Sequence, residues 1–152
     1  MLSNQQTNDI LNQAELIVSA EKVQAAVISV AQEINTVLAD MHPLLLSVMG
    51  GAVVFTGQLL PLLTFPLDFD YVHVSRYGTN QQGGILHWKV EPRENVAGRV
   101  VLVVDDILDE GETLAAVKQR VLDLGAAKFY SAVFADKRIG KVKPVRADFV
   151  GL

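Results

Sequence analysis

The stretch Val100-Val101-Leu102-Val103-Val104, entered at Arg99 and closed by Asp105-Asp106, restricts this chain more than any other segment. It reads as the strongest buried strand of the chain, because a continuous apolar run without polar alternation suits a strand covered on both faces. Leu44 to Val48 is a second short run of this kind, and Phe129 to Ala135 a third. Leu67 to Ser75 alternates instead, with Phe69, Tyr71 and His73 on one face and Val72 and Val74 on the other. Ile85 to Val90 is a further strand, and Asp148-Phe149-Val150 opens a last short one. Helical patterns lie between them. Ser19 to Leu38 carries Val23, Val27, Val30, Ile34 and Val37 at helical spacing, and His42-Pro43 ends it. Ala52 to Leu63, with Pro61 near its end, and Thr113 to Leu124, ending at Gly125, are the other two. Strands alternating with helices predict an α/β fold with a largely parallel sheet. Ligands of such sheets sit beyond the carboxyl ends of the strands. The loops after Met49, Asp105 and Asp136 are therefore expected to meet on that edge.

The bulk numbers narrow the class. A chain of 152 residues, half of them hydrophobic, fits one domain with one core. The formal net charge is -4 and the pI about 5.3, so no global basic field exists to hold nucleic acid. There is no cysteine, which excludes disulfides, thiolate catalysis and thiolate zinc sites. His42, His73 and His87 show no metal-ligand spacing and read as core or surface residues. Ser75 has no evident histidine partner for nucleophilic catalysis. Residues 1 to 12 are polar and do not resemble a signal peptide, and no apolar run approaches a membrane span. A cytoplasmic protein without membrane contact is the expectation.

The chemistry concentrates in Val103-Val104-Asp105-Asp106-Ile107-Leu108-Asp109-Glu110-Gly111-Glu112-Thr113. A buried strand ends in two adjacent carboxylates, Asp105 to Glu112 reads as a turn, and a helix begins near Thr113. Gly111 supplies backbone freedom. The free N–H groups and positive end of the helix form an anion site sized for a phosphate, with the Thr113 hydroxyl as a further donor. Two like charges side by side call for a cation or hydroxyl donors; a sugar diol supplies the second and a divalent metal the first. A ribose phosphate satisfies the whole arrangement. No Gly-Lys-Ser/Thr phosphate loop and no GxGxxG fingerprint is present.

This segment resembles the phosphoribosyl pyrophosphate signature of the type I phosphoribosyltransferases. Val48-Met49-Gly50-Gly51 is similar to the family's pyrophosphate loop, and Ser75-Arg76-Tyr77-Gly78 to the start of the lid in its hypoxanthine-guanine members. Ala135-Asp136-Lys137-Arg138 and Ala147-Asp148-Phe149-Val150-Gly151 resemble their purine-binding region. The resemblance runs from Leu44 to Leu152. It implies the type I phosphoribosyltransferase fold, a mostly parallel twisted sheet flanked by helices with a flexible lid from Arg76 to Gly84. It also implies that the purine-stacking segment that follows this region in relatives lies outside the 152 residues.

The implied activity is purine salvage: phosphoribosyl pyrophosphate and hypoxanthine or guanine give IMP or GMP and pyrophosphate. Asp105 and Asp106 would hold the ribose hydroxyls and, directly or indirectly, Mg2+. Backbone amides of Asp109, Glu110, Gly111, Glu112 and Thr113 would cradle the 5-phosphate. Asp109 would serve as general base, Lys137 would donate to the 6-oxo group of the purine, and Gly50 and Gly51 would admit pyrophosphate. Arg76 and Tyr77 would act from the lid, and Lys141 near pyrophosphate. A non-proline cis peptide is implied at Val48–Met49. The chain departs from many relatives at Met49, where they carry lysine, and at Arg76, where they carry a small polar residue. A homodimer or homotetramer is implied, with Trp88 at an interface or in the core. A regulatory protein sensing phosphoribosyl pyrophosphate on the same fold, or a xanthine-preferring enzyme, are the alternatives.

Overall fold

Ser19 caps the longest helix, its hydroxyl accepting from the Lys22 N–H, and the helix runs over Ala20–Leu38. The computed structural model describes residues 2–77, 85–93 and 95–152, with the backbone alone at 76, 77 and 85. Its elements are α1 (Asn4–Gln13), α2 (Ala20–Leu38), β1 (Leu44–Met49), α3 (Val53–Leu59) with a 3-10 turn at Leu60–Leu62, β2 (Asp68–Tyr77), β3 (Ile85–Val90), β4 (Val100–Leu108), α4 (Glu112–Asp123), β5 (Lys128–Asp136) and β6 (Phe149–Val150). The six strands form one sheet in the order β3-β2-β1-β4-β5-β6. Every pairing is parallel except β2 with β3. Among the described residues no helix is long and apolar enough to cross a membrane.

The uninterrupted apolar runs are central, as their composition requires. In β1 and β4 the residues Leu44, Leu45, Leu46, Val101, Leu102, Val103 and Val104 are all fully buried. Period-two alternation sends Leu45, Leu102 and Val104 toward Val27, Val30, Ile34 and Leu38 of α2 and Phe55 of α3. Leu44, Leu46, Val101 and Val103 point the other way, toward Leu114, Val117 and Val121 of α4. Each such side chain contributes on the order of 1.5–3 kcal/mol by leaving water. A buried hydrogen bond of 2.8 Å between the Ser47 and Thr56 hydroxyls ties β1 to α3, directly behind the loop that joins them. Trp88 packs against the core on the α4 side.

Several boundaries differ from the sequence reading. α1 is a helix within a segment read only as polar; Ser3 and Gln6 form a reciprocal capping box at its start, yet it buries no residue. Val37 is 40% exposed, and Leu38 takes its place in the core. β2 continues through Arg76 and Tyr77, paired with Leu86 and Ile85, so these two residues lie in a strand rather than in a loop. The rest of the expected lid, 78–84, lies outside the described residues. β4 runs on to Leu108 because β5 pairs with it as far as Ile107 with Ala135 and Leu108 with Asp136. The turn is thus confined to Asp109, Glu110 and Gly111.

Candidate active site

The carboxyl ends of β1, β2, β4 and β5 enclose a cleft of about 450 Å3. Its walls are the Val48–Gly51 loop, His73 and Val74, the segment from Asp105 through Gly111, Thr113 and Leu114 at the start of α4, and Val133. Gly50, Gly51, Asp105, Asp106, Asp109, Glu110, Gly111 and Thr113 therefore converge as the sequence reading expected. Glu112 does not line the cleft; it is the exposed first residue of α4. His73 does line it, although it reads in sequence as a core or surface residue; its cleft position depends on pairing with Met49 across β1 and β2, which no local motif reports.

Each carboxylate of the pair accepts the main-chain N–H of the residue that follows it. The Asp106 N–H donates to Asp105 Oδ1 at 2.9 Å, and the Ile107 N–H donates to Asp106 Oδ1 at 2.8 Å. Gly51 lies so near that a Cβ there would stand 2.4 Å from Asp106 Oδ2. Asp105 is only 9% exposed. Burial pushes its carboxyl up to about 7, with the neighbouring Asp106 charge adding to the rise and the Asp106 N–H opposing it.

That raised value carries a stability consequence. The fold favours protonated Asp105, so the contribution of this residue is fully present below its ordinary value of 3.8 and is lost as pH rises through about 7. Asp105→Asn keeps the shape and the acceptor without the charge. Free of ligand, the variant should match the wild type near pH 4 and exceed it by roughly 2–4 kcal/mol at pH 8. Chemical denaturation across that range checks this; parallel stability–pH curves would contradict it.

Gly111 precedes α4 with φ +83°, a conformation that favours glycine, and as the N-cap residue it brings no side chain of its own to the helix start. The first turn bonds back through the Ala115 N–H to Gly111 O. The helix start therefore presents its positive end to the cleft beside Thr113. On the other rim, Lys137 Nζ lies 3.1 Å from Asp109 Oδ1, and both side chains are more than half exposed. Lys137 belongs to an adjoining cavity of about 510 Å3 lined by the loop after β5, including Lys141 and Lys143, and sharing Leu108 with the cleft. Lys141 sits in that adjoining cavity and does not line the cleft.

The cis peptide lies at Met49–Gly50, one bond later than the resemblance implied. The side chains of Arg76 and Tyr77 lie outside the described residues. Asp148 accepts from the Ser131 N–H and hydroxyl at 2.8 and 3.1 Å, so it braces β5 rather than facing the cleft. Lys143, which the sequence reading did not single out, bonds to main-chain atoms at the ends of both β4 and β5.

Among the described residues no group of three or more His, Asp or Glu side chains converges as a metal cage. Asp105 and Asp106 nevertheless fit a magnesium ion that draws its other oxygens from ligand and water, the usual manner for this ion.

Residues 13–152 match the family model for the phosphoribosyl transferase domain. The chain belongs to that family. It is 27% identical to the hypoxanthine-guanine phosphoribosyltransferase of Streptococcus pneumoniae, over 93% of this chain and 78% of the relative. It is 31% identical to the hypoxanthine-guanine-xanthine phosphoribosyltransferase of Tritrichomonas foetus, over 83% of this chain and 69% of the relative. A solved structure of the Trypanosoma cruzi hypoxanthine phosphoribosyl transferase superposes with a TM-score of 0.80 at 26% identity, covering 90% of this chain and 75% of that one.

Proposed function

We propose that this chain transfers ribose 5-phosphate from phosphoribosyl pyrophosphate to hypoxanthine or guanine, forming IMP or GMP and releasing pyrophosphate. The observation that carries the reading is the pairing of Lys137 with Asp109 at 3.1 Å on the rim of the cleft. A 6-oxopurine presents O6 and N7 side by side on one edge. An ammonium beside a carboxylate matches that edge when O6 accepts and N7 carries the proton.

In this reading the α4 start, with Gly111 and Thr113, holds the 5-phosphate, and Asp105 and Asp106 accept from the ribose hydroxyls. Gly50 and Gly51 let main-chain amides approach pyrophosphate. Lys137 donates to O6 and orients the base so that N9 faces the anomeric carbon. The bond from that carbon to pyrophosphate breaks, the bond to N9 forms, and the N7 proton passes to Asp109. Asp105 and Asp106 would hold part of the coordination of a magnesium ion, which when bound would supply charge neutralisation on the departing pyrophosphate. Assembly as a homodimer or homotetramer and a cytoplasmic location belong to the same reading and rest on family membership.

The direct assay mixes the protein with Mg2+, phosphoribosyl pyrophosphate and each of hypoxanthine, guanine and xanthine, and follows nucleotide formation. Xanthine is included because the Tritrichomonas relative is named for it as well. Binding of phosphoribosyl pyrophosphate with no nucleotide formed would favour a sensor and overturn the reading. Lys137→Ala should lower kcat/KM for the purine by about 10- to 100-fold, the loss of a charged hydrogen bond, with phosphoribosyl pyrophosphate affinity changed by less than about 3-fold. Steady-state kinetics in both substrates checks it; equal losses would remove Lys137 from base recognition.

A further inference from the structure

We infer that Lys143 is a positioning residue for the Asp109–Lys137 pair, an inference that rests on the purine-binding reading of that pair. Its side chain is 11% exposed, far less than those of Asp109 and Lys137. A buried ammonium is costly unless its charge is paired and its donors are used. Here Nζ reaches Asp136 Oδ1 at 2.5 Å, Lys137 O at 2.7 Å, and Leu108 O. An ammonium has three N–H donors, and these three acceptors take all of them. Lys143 therefore has no donor left for a ligand, and its influence passes through what it holds.

What it holds is the pair's backbone. The ladder between β4 and β5 ends at Leu108 with Asp136. The next residues are Asp109 on one strand and Lys137 on the other. Leu108 O also accepts the Lys137 N–H at 3.1 Å. Lys143 thus adds a side-chain rung where the main-chain ladder stops, bridging the carbonyl before Asp109 to the carbonyl of Lys137 itself. Asp136 supplies the counter-charge. The same segment braces the phosphate turn, since a Cβ at Gly111 would lie 3.4 Å from Lys143 Cβ and 3.3 Å from Pro144 Cδ. Lys143 sets the separation and direction of the two groups that meet the base.

The test is steady-state kinetics on wild type, Lys143→Met, Lys137→Ala and the double variant, with melting temperatures recorded. Methionine keeps the length and apolar stem but removes the charge and donors. Lys143→Met should raise KM for hypoxanthine about 10- to 50-fold, the scale of an ångström-level misplacement, while KM for phosphoribosyl pyrophosphate stays within about 3-fold. In the Lys137→Ala background the same change should raise KM for hypoxanthine less than about 3-fold further, because of the two positioned groups the one that binds O6 is gone and Asp109 acts in proton transfer, which kcat reads. Equal losses for both substrates, or full additivity in the double variant, would show a merely structural lysine and overturn the inference. If Lys143→Met fails to fold, Asp136→Asn decides: a purine-selective rise in KM supports the inference, and a uniform loss or none overturns it. A wild type that forms no nucleotide would sink the proposed function and this inference together, whereas an active wild type with additive losses would sink this inference alone.

Discussion

Asp109→Asn is expected to lower kcat by about 100- to 1000-fold, within the range of a lost general base, while phosphoribosyl pyrophosphate affinity changes by less than about 3-fold. The Asp109 side chain is 53% exposed and partnered by Lys137, so its replacement leaves the core and the sheet intact. Asparagine keeps the shape and an oxygen toward Lys137 but cannot take up the N7 proton. The phosphate turn uses main-chain groups, which the substitution does not remove. Single-turnover and steady-state rates, together with a titration by phosphoribosyl pyrophosphate, separate the two effects. A kcat within about twofold of wild type would take Asp109 out of proton transfer.

Gly51→Ala is expected to raise KM for phosphoribosyl pyrophosphate by about 100-fold or more, through displacement of the groups that position it. The added methyl would fall 2.4 to 2.9 Å from the carboxylate atoms of Asp106. If that carboxylate yields, it gives up the bond that its Oδ1 accepts from the Ile107 N–H at 2.8 Å. Either the Asp106 side chain turns and loses this bond, or the loop after β1 moves away from the cleft. Both outcomes spoil the proposed grip on the ribose hydroxyls and pyrophosphate. Kinetics in both substrates checks the expectation, and a KM within about threefold of wild type would show that neither adjustment reaches the ligand.

The strands that build the cleft were legible because apolar runs such as Val100–Val104 have few alternatives to a two-faced strand. The acid pair, Gly111 and the start of α4 were legible because each is a local pattern with a local physical purpose. The end of β4 was not. Asp105, Asp106 and Asp109 look like a turn in one dimension, and only the pairing with β5 carries the strand to Leu108. α1 was missed although Ser3 and Gln6 mark its start, because a helix without a buried face leaves no apolar period. His73 and Lys143 were hidden for a common reason. Each gains its place from contacts across the fold, His73 beside Met49 on a neighbouring strand and Lys143 on a carbonyl 35 residues away. Lys143 bonds partly to main-chain oxygens, which carry no signature in the residue code.

In the proposed function the bend after β4 and the start of α4 grip phosphoribosyl pyrophosphate through main-chain hydrogens, with the acid pair against the sugar. Amide NMR of the protein titrated with the magnesium complex of phosphoribosyl pyrophosphate tests it most directly. The largest shifts are expected at the amides of residues 109–113, with further shifts at Gly50, Gly51 and Asp106. Saturable binding that leaves 109–113 unmoved, with the shifts clustered elsewhere on the molecule, would contradict it.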